Sequence, residues 1–158
     1  MNMRDKIKTQ SQIKTIAAKL KSGNKRIVFT NGCFDILHRG HVEYMAKAKK
    51  LGDILVVGLN SDSSIKCIKG PNRPVNNEKD RAAVLSGLES VDYITIFRED
   101  TPYELIKVVK PDVLVKGGDW KPKDIVGNDI VKKVVSIPFV RGYSTSVLIE
   151  KIGRGCGH

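Results

Sequence analysis

Ile27-Val28-Phe29-Thr30-Asn31-Gly32-Cys33-Phe34-Asp35-Ile36-Leu37-His38-Arg39-Gly40-His41 opens on a run that is apolar at successive positions and closes on the start of an amphipathic stretch. Apolar neighbours on both faces mark a strand buried in a parallel sheet, and the turn residues after it lead straight into a helix. The same alternation continues outward. Apolar runs recur at 54–59, 93–97, 113–115 and 134–140, and stretches of helical period lie at 39–51, 77–88, 102–110, 122–132 and 144–152. Strand and helix in regular alternation predict a doubly wound, Rossmann-like α/β fold, a parallel five-stranded sheet with helices on both faces.

The chain has 158 residues, enough for one core, with ordinary globular proportions of 41% hydrophobic and 28% charged residues that exclude disordered and collagenous classes. No apolar run approaches the ~20 residues of a membrane span, and the N-terminus lacks the apolar stretch of a signal peptide, so a soluble cytoplasmic protein with no membrane partner is expected. Cys33, Cys67 and Cys156 form no C-x-x-C pair, which leaves no disulfide framework and no four-thiolate zinc site.

The net charge of +11 is concentrated, because residues 1–26 hold eight Lys/Arg against the single acid Asp5. Ile13, Ile16, Ala17 and Leu20 fall at helical spacing there, and no aromatic residue is present to stack on a base. The segment therefore reads as a solvated helix rather than a nucleic-acid arm. Thr9 and Gln12 form a capping box and Gly23 a stop. Residues 1–24 are read as a helical extension, 25–152 as the α/β domain and 153–158 as a frayed tail, in which Cys156 and His158 lack further metal ligands. A second helix start is read at Thr101-Pro102-Tyr103-Glu104, a capping box with proline in the first helical position.

Ligands of such sheets bind beyond the carboxyl ends of the strands. His38 and His41 flank a helix start after the first strand, beside free backbone N–H groups and the positive end of the helix dipole, an arrangement suited to an anion. Gly32 lets backbone approach a phosphate, and Gly40 keeps the space between the imidazoles clear. Zinc would call for histidines four apart and a third ligand, which the sequence does not clearly supply.

Gly32 to His41 resembles the signature of the H-x-G-H nucleotidyltransferases. With Asn60-Ser61-Asp62, Arg73-Pro74, Asp80-Arg81, Val115 to Asp119, Asp124 to Gly127 and Gly142 to Ser146, the chain is similar to their heptose 1-phosphate adenylyltransferase branch. That resemblance implies ATP and a sugar 1-phosphate as substrates, Mg²⁺ carried on the ATP phosphates, and a homo-oligomer, most simply a dimer. It implies His38 and His41 as catalytic donors. It implies nucleotide contacts from Thr30, Asn31, Gly32, Cys33, Phe34 and Gly40, from Val115, Lys116, Gly117 and Gly118, and from Phe139, Ser144, Thr145 and Ser146.

The residues themselves agree with that chemistry. A sugar phosphate oxygen is already a nucleophile, so catalysis reduces to in-line placement and charge stabilisation. Ser144-Thr145-Ser146 opens the last helix, where hydroxyls and N–H groups can hold β- and γ-phosphates; on its own it is an N-cap. Lys116-Gly117-Gly118 offers backbone groups to a base or ribose, or else a plain turn. On the sugar-phosphate side the resemblance implies Asn60 and Asp119; Lys66 and Lys69, in a loop after the second strand, read as cations that close over phosphates or as solvated lysines, Arg81 as a phosphate ligand or a structural ion pair, and Asp35 as in contact with the sugar or a phosphate-binding lysine. One departure from the family is a short connection in which the helix over 122–132 abuts the last strand.

The rival within the class is a cytidylyltransferase for glycerol 3-phosphate or a similar alcohol phosphate. Such enzymes tend to carry an arginine where Phe139 stands, so adenine is favoured. FMN adenylyltransferases share the motif set, and a non-catalytic nucleotide- or nucleic-acid-binding module is the alternative of another class.

Overall fold

The structure, a computed structural model, describes residues 2–155. Five parallel strands, β1 (Ile27–Gly32), β2 (Ile54–Asn60), β3 (Tyr93–Phe97), β4 (Val113–Gly117) and β5 (Lys133–Ile137), stand in the order β3-β2-β1-β4-β5. The helices are α1 (Gln10–Ser22), α2 (Arg39–Lys49), α3 (Asp62–Lys69), α4 (Glu78–Ser86), α5 (Tyr103–Val109) and α6 (Thr145–Gly155). Side chains alternate across each strand, so the sheet builds two cores. Val28, Leu55, Val57 and Ile94 face Met45 of α2 and Leu85 of α4, while Phe29, Val56 and Leu114 face Ile13 of α1 and Leu105 and Ile106 of α5. The doubly wound parallel sheet read from the alternation is the one observed.

The basic N-terminal helix packs by its apolar stripe. Ile13 and Ala17 are buried with Ile16 and Leu20 beside them, and Thr9 closes the capping box with Gln12. Ahead of it, Ile7 bridges to Ile94 along the β3 edge.

Local structure departs from the sequence reading in five places. Lys66 and Lys69 lie on a helix, α3, and not in a loop: Ser61 caps it by accepting from the Ser64 N–H, and Ile65 anchors it in the core. Residues 122–132 form no α-helix. A 3-10 turn at Pro122–Asp124 is followed by Gly127 at φ +91, and Asn128 donates its side-chain amide to the carbonyls of Lys123 and Ile125. A left-handed glycine and an amide satisfying local carbonyls break the helical ladder, so no helix abuts β5. That strand stops at Ile137, before Pro138, which has no N–H to donate to a ladder. At α5, Pro102 is the N-cap residue with no side-chain cap bond, so the Thr101 box does not form. The tail is helical through Gly155; Cys156 and His158 lie outside the described residues.

Candidate functional site

Strand order reverses between β1 and β4, since β2 and β3 lie on one side of β1 and β4 and β5 on the other. The crevice beyond the carboxyl ends of this pair is where a doubly wound sheet binds its ligand, and a cleft of about 430 Å³ opens there.

The turn between β1 and α2 shapes its wall. Phe34 adopts φ +43, and a Cβ on Gly32 would come within 2.9 Å of the Phe34 ring. His38 is the N-cap residue of α2 with extended backbone, which leaves the first-turn N–H groups of Arg39 and Gly40 without intrahelical acceptors. The His38 and His41 rings stack with centroids 3.8 Å apart and planes 20° apart, and Phe34 meets His41 edge-on at 5.2 Å. The stack depends on Gly40, where a Cβ would stand 3.0 Å from the His38 ring.

Burial favours the uncharged form of both histidines. Burial lowers the His38 pKa, and burial, then His38 itself and Lys69, bring His41 down to about 4. Each has a buried Nδ1 without a protein partner. A buried polar atom left unpaired carries a cost that a ligand can relieve.

Lys47, Lys69, Arg73 and Lys116 bring four cations to the cleft, and burial lowers the Lys116 pKa. The β5–α6 segment brings two aromatic rings to it, Phe139 and Tyr143, along with Pro138 and Val140. Phe139 is 72% exposed, yet its ring lies so close over Gly117 and Gly118 that a Cβ on either would come within 2.9 Å. Tyr143 stands 6.2 Å from His38, centroid to centroid. At the start of α6, Ser144 Oγ accepts from the Val147 N–H at 3.1 Å and Thr145 Oγ1 donates to the Ile36 carbonyl at 3.4 Å, and Ser146 completes that corner of the cleft.

Asp35 lines the cleft but its carboxylate is already engaged. It accepts from Arg73 Nε at 2.9 Å and from the Val75 and Asn76 N–H groups at about 3.0 Å. Burial pushes its pKa up, but those N–H groups and Arg73 outweigh burial and hold it below the usual range. Its partner is thus an arginine, not a lysine, and it anchors the loop that carries Arg73. Arg81 is fully buried. Its Nη1 donates to the carbonyls of Cys33 (2.7 Å) and Asn60 (2.8 Å), Nη2 to Asp62 (2.8 Å), and Nε to the Asn76 carbonyl (3.0 Å). Every arm of the guanidinium is occupied by protein, which ties the ends of β1 and β2 to the segment preceding α4.

Of the positions singled out in the sequence, His38, His41, Asn31, Gly32, Cys33, Phe34 and Gly40 meet around the cleft with Lys69, Lys116, Gly117, Phe139 and Ser144 to Ser146. Thr30 and Val115 lie beneath it. Tyr44 bridges them, its hydroxyl 2.6 Å from Thr30 Oγ1 and 3.4 Å from the Val115 carbonyl, and burial raises the phenol pKa to about 12 against the Thr30 bond. Gly118 sits behind the Phe139 ring and accepts from the Ser136 hydroxyl. Lys66, Arg81 and Asp119 line no part of the cleft, and Asn60 borders a second, adjoining cavity.

Lys47, Arg73 and Tyr143 were given no site role in the sequence, although Arg73-Pro74 and Gly142 to Ser146 are among the motifs that carry the resemblance. His41, Tyr44 and Lys47 follow at steps of three on one helix face, a spacing that carries Lys47 in the sequence; Arg73 has no comparable local signal.

A parallel sheet with this imidazole pair and cation set at its switch point is an α/β protein whose cleft has the charge to receive an anion. The chain belongs to the cytidylyltransferase-like family, whose model matches residues 29–152, in agreement with the resemblance read at Gly32 to His41. It is 59% identical over 150 residues to the bifunctional protein HldE of Nitratiruptor sp. and 56% identical over 148 residues to that of Wolinella succinogenes, covering 95% and 94% of this chain. The chain spans about a third of the length of these relatives (32% and 31%). Among solved structures, the lipopolysaccharide core biosynthesis protein from Thermoplasma volcanium matches with a TM-score of 0.65 at 34% identity, over 73% of this chain and 98% of that one. A pantoate-beta-alanine ligase from Francisella tularensis, with a TM-score of 0.61 at 18% identity over 85% of this chain and 67% of that one, shares the fold.

Proposed function

We propose that the chain is a nucleotidyltransferase that joins ATP to D-glycero-β-D-manno-heptose 1-phosphate, giving ADP-D-glycero-β-D-manno-heptose and pyrophosphate for lipopolysaccharide core or related heptose-glycan synthesis in the cytoplasm. The observation that carries this reading is the stacked pair of imidazoles at the N-terminus of α2, with unpartnered nitrogens in a cleft of four cations. The names borne by the relatives and by the Thermoplasma volcanium neighbour point to the same branch of the family.

In this reaction a sugar-phosphate oxygen attacks the α-phosphorus, the bond between that phosphorus and the bridging oxygen to the β-phosphorus breaks, and pyrophosphate leaves with the electron pair. No protein nucleophile is required. His38, His41 and the N–H groups of Arg39 and Gly40 serve as donors to charge that grows on the α-phosphate oxygens. Lys47, Lys69 and Arg73 attract the β- and γ-phosphates, and the N-terminus of α6 stands on the same side.

No three His, Cys, Asp or Glu side chains gather among the described residues, and Asp35 is spent on Arg73. In this reading Mg²⁺ is carried on the triphosphate as part of the substrate, where it would offset phosphate charge. The Phe139 ring beside backbone of Gly117 and Gly118 offers a stacking face and amide edges to a purine.

Pyrophosphate release with heptose 1-phosphate and a panel of nucleotides tests the proposal. ATP should exceed CTP in kcat/KM by about 10- to 100-fold, the worth of one or two hydrogen-bonded or stacking contacts. His38→Ala and His41→Ala should each lower kcat by about 10²- to 10³-fold with little change in ATP affinity. Turnover with CTP equal to that with ATP moves the chain to the cytidylyltransferases, and near-normal kcat in either histidine variant removes the catalytic assignment.

A further inference from the structure

The parallel strands all start at the end of the sheet opposite the cleft, where carboxylates meet the first backbone N–H groups. Asp53 accepts from the Arg26 N–H at 2.7 Å, Asp112 from the Ile27 N–H at 2.8 Å, and Asp92 from the Leu55 N–H at 2.7 Å and from Lys49 Nζ. Cations crowd the same end. Lys19 and Lys21 close α1, Lys25 and Arg26 enter β1, and Lys50 follows α2. Lys110 follows α5, and Lys132 and Lys133 lead into β5. All eight are exposed, and among the described residues none of them forms an ion pair. A further exposed acid, Glu89, precedes β3 on the edge away from β4 and β5.

The starts of β2, β1, β4 and β5 stand side by side, with Ile27 level with Ile54 and Val113 level with Val28 and Lys133. At ~4.8 Å between neighbouring strands the array is roughly 15 Å across. Burial lowers the Lys21 pKa; Asp112 opposes this, and the charges of Lys110 and Lys132 lower it further. Cations from three separate segments therefore repel one another here, and an apposed anionic surface relieves that repulsion.

A helix C-terminus attracts cations, which accounts for Lys19, Lys21, Lys50 and Lys110. It does not account for Lys25, Arg26, Lys132 and Lys133, which lie outside the helices. We propose that this end of the sheet docks on an anionic lipid surface by charge alone, with the cleft turned away from it. Seven of the eight cations are lysines, compact point charges suited to a mobile array of headgroups, whereas planar arginine forks suit a fixed phosphate or base. The exposed aromatic rings on which bases could stack, Trp120, Phe139 and Tyr143, follow the carboxyl ends of β4 and β5 at the opposite end. Among the described residues no helix is long and apolar enough to cross a membrane, and none of the exposed large apolar side chains lies on these segments. The attachment is thus reversible and screened by salt. It goes beyond the functional reading and does not depend on it. It also replaces the expectation of no membrane partner, which rested on the lack of apolar segments.

The test is sedimentation of the full chain with vesicles of phosphatidylcholine alone and of phosphatidylcholine with about 40 mol % phosphatidylglycerol, at about 0.1 M and about 0.5 M salt. Binding is expected to the anionic vesicles alone, falling about tenfold or more at the higher salt. Each cation near such a surface contributes about fivefold in partition. The variant Lys25→Gln/Arg26→Gln/Lys132→Gln/Lys133→Gln should therefore bind about 100-fold more weakly or worse. Lys79→Gln/Lys121→Gln/Lys123→Gln/Lys151→Gln removes as many exposed charges outside the array and should weaken binding by less than about fivefold. Equal weakening in the two variants reduces the effect to net charge and overturns the proposal, as does a parent protein that ignores anionic lipid. A parent that binds a DNA duplex more tightly than the anionic vesicles at the same salt makes this a nucleic-acid surface and rejects the membrane. The parent's response to lipid charge and salt needs no variant, so a variant that fails to fold leaves the test in force.

Discussion

Replacement of Arg81 separates a structural guanidinium from a substrate ligand. Arg81→Ala leaves the carbonyls of Cys33, Asn60 and Asn76 and the Asp62 carboxylate without the donor they share. Each buried carbonyl stranded in this way costs on the order of 1 kcal/mol or more, and breaking a buried ion pair by removing one partner costs about 3–5 kcal/mol. Asp62 is one-third exposed and recovers part of its solvation, so the total should stay near about 3–5 kcal/mol rather than the sum of all these terms. For a domain of this size each kcal/mol moves Tm by roughly 2–4 °C, giving a fall of about 6–20 °C. Arg81→Lys should recover only part of it, because one ammonium cannot span four acceptors on three segments.

The assay is calorimetric melting paired with pyrophosphate release well below the transition. The expected result is a large loss of Tm and a reduced kcat, as the ends of β1 and β2 lose their tie, with no selective rise in the KM for sugar phosphate. A parental Tm combined with a tenfold rise in that KM would refute the reasoning and make Arg81 a ligand for substrate.

Gly40→Ala places a methyl group 3.0 Å from His38 Cε1 and Nδ1 and 3.2 Å from Tyr143 Cβ, so the imidazole must turn; kcat should drop about 10- to 100-fold with little change in Tm, and parental kcat would show that the stack is not needed. The lowered His41 pKa makes stability acid-sensitive: between pH 6.5 and about 4 the unfolded chain takes up a proton that the folded ring declines, so stability falls as pH drops through that window. The full shift corresponds to at most ~3 kcal/mol, and solvent in the open cleft lowers this to about 2 kcal/mol. Urea midpoints of the parent and His41→Gln measured across that range should converge toward low pH, and parallel curves would refute it. Gly127→Ala forces a left-handed alanine whose Cβ stands 2.7 Å from Ile106 Cδ1; a loss of about 1–3 kcal/mol is expected in urea denaturation, and a neutral outcome would mean that the 122–132 segment can refold locally.

Much of this architecture is written in short-range patterns. Runs such as Ile27 to Thr30 and 54–59 announce strands covered on both faces, because apolar residues at successive positions can be buried only in that setting. The His38-x-Gly40-His41 spacing at a strand-to-helix turn announces an anion site, since the free N–H groups of a helix start belong to the local chain. Even α3 has a readable cap in Ser61, and Gly127 with Asn128 carries the signal against a helix at 122–132. Strand order is different in kind: nothing near Lys116 in the chain says that β4 will lie beside β1 and bring that cation to the histidines. Arg81 and Asp35 look alike in sequence to charges that meet a substrate, yet they are held by Cys33, Asn60 and Asp62 in the one case and by Arg73 to Asn76 in the other. Periodicity and capping are properties of neighbouring residues and survive in the linear chain, whereas the pairing of a buried charge is chosen by whichever acceptors the folded chain brings within about 3 Å, and only the tertiary structure makes that choice.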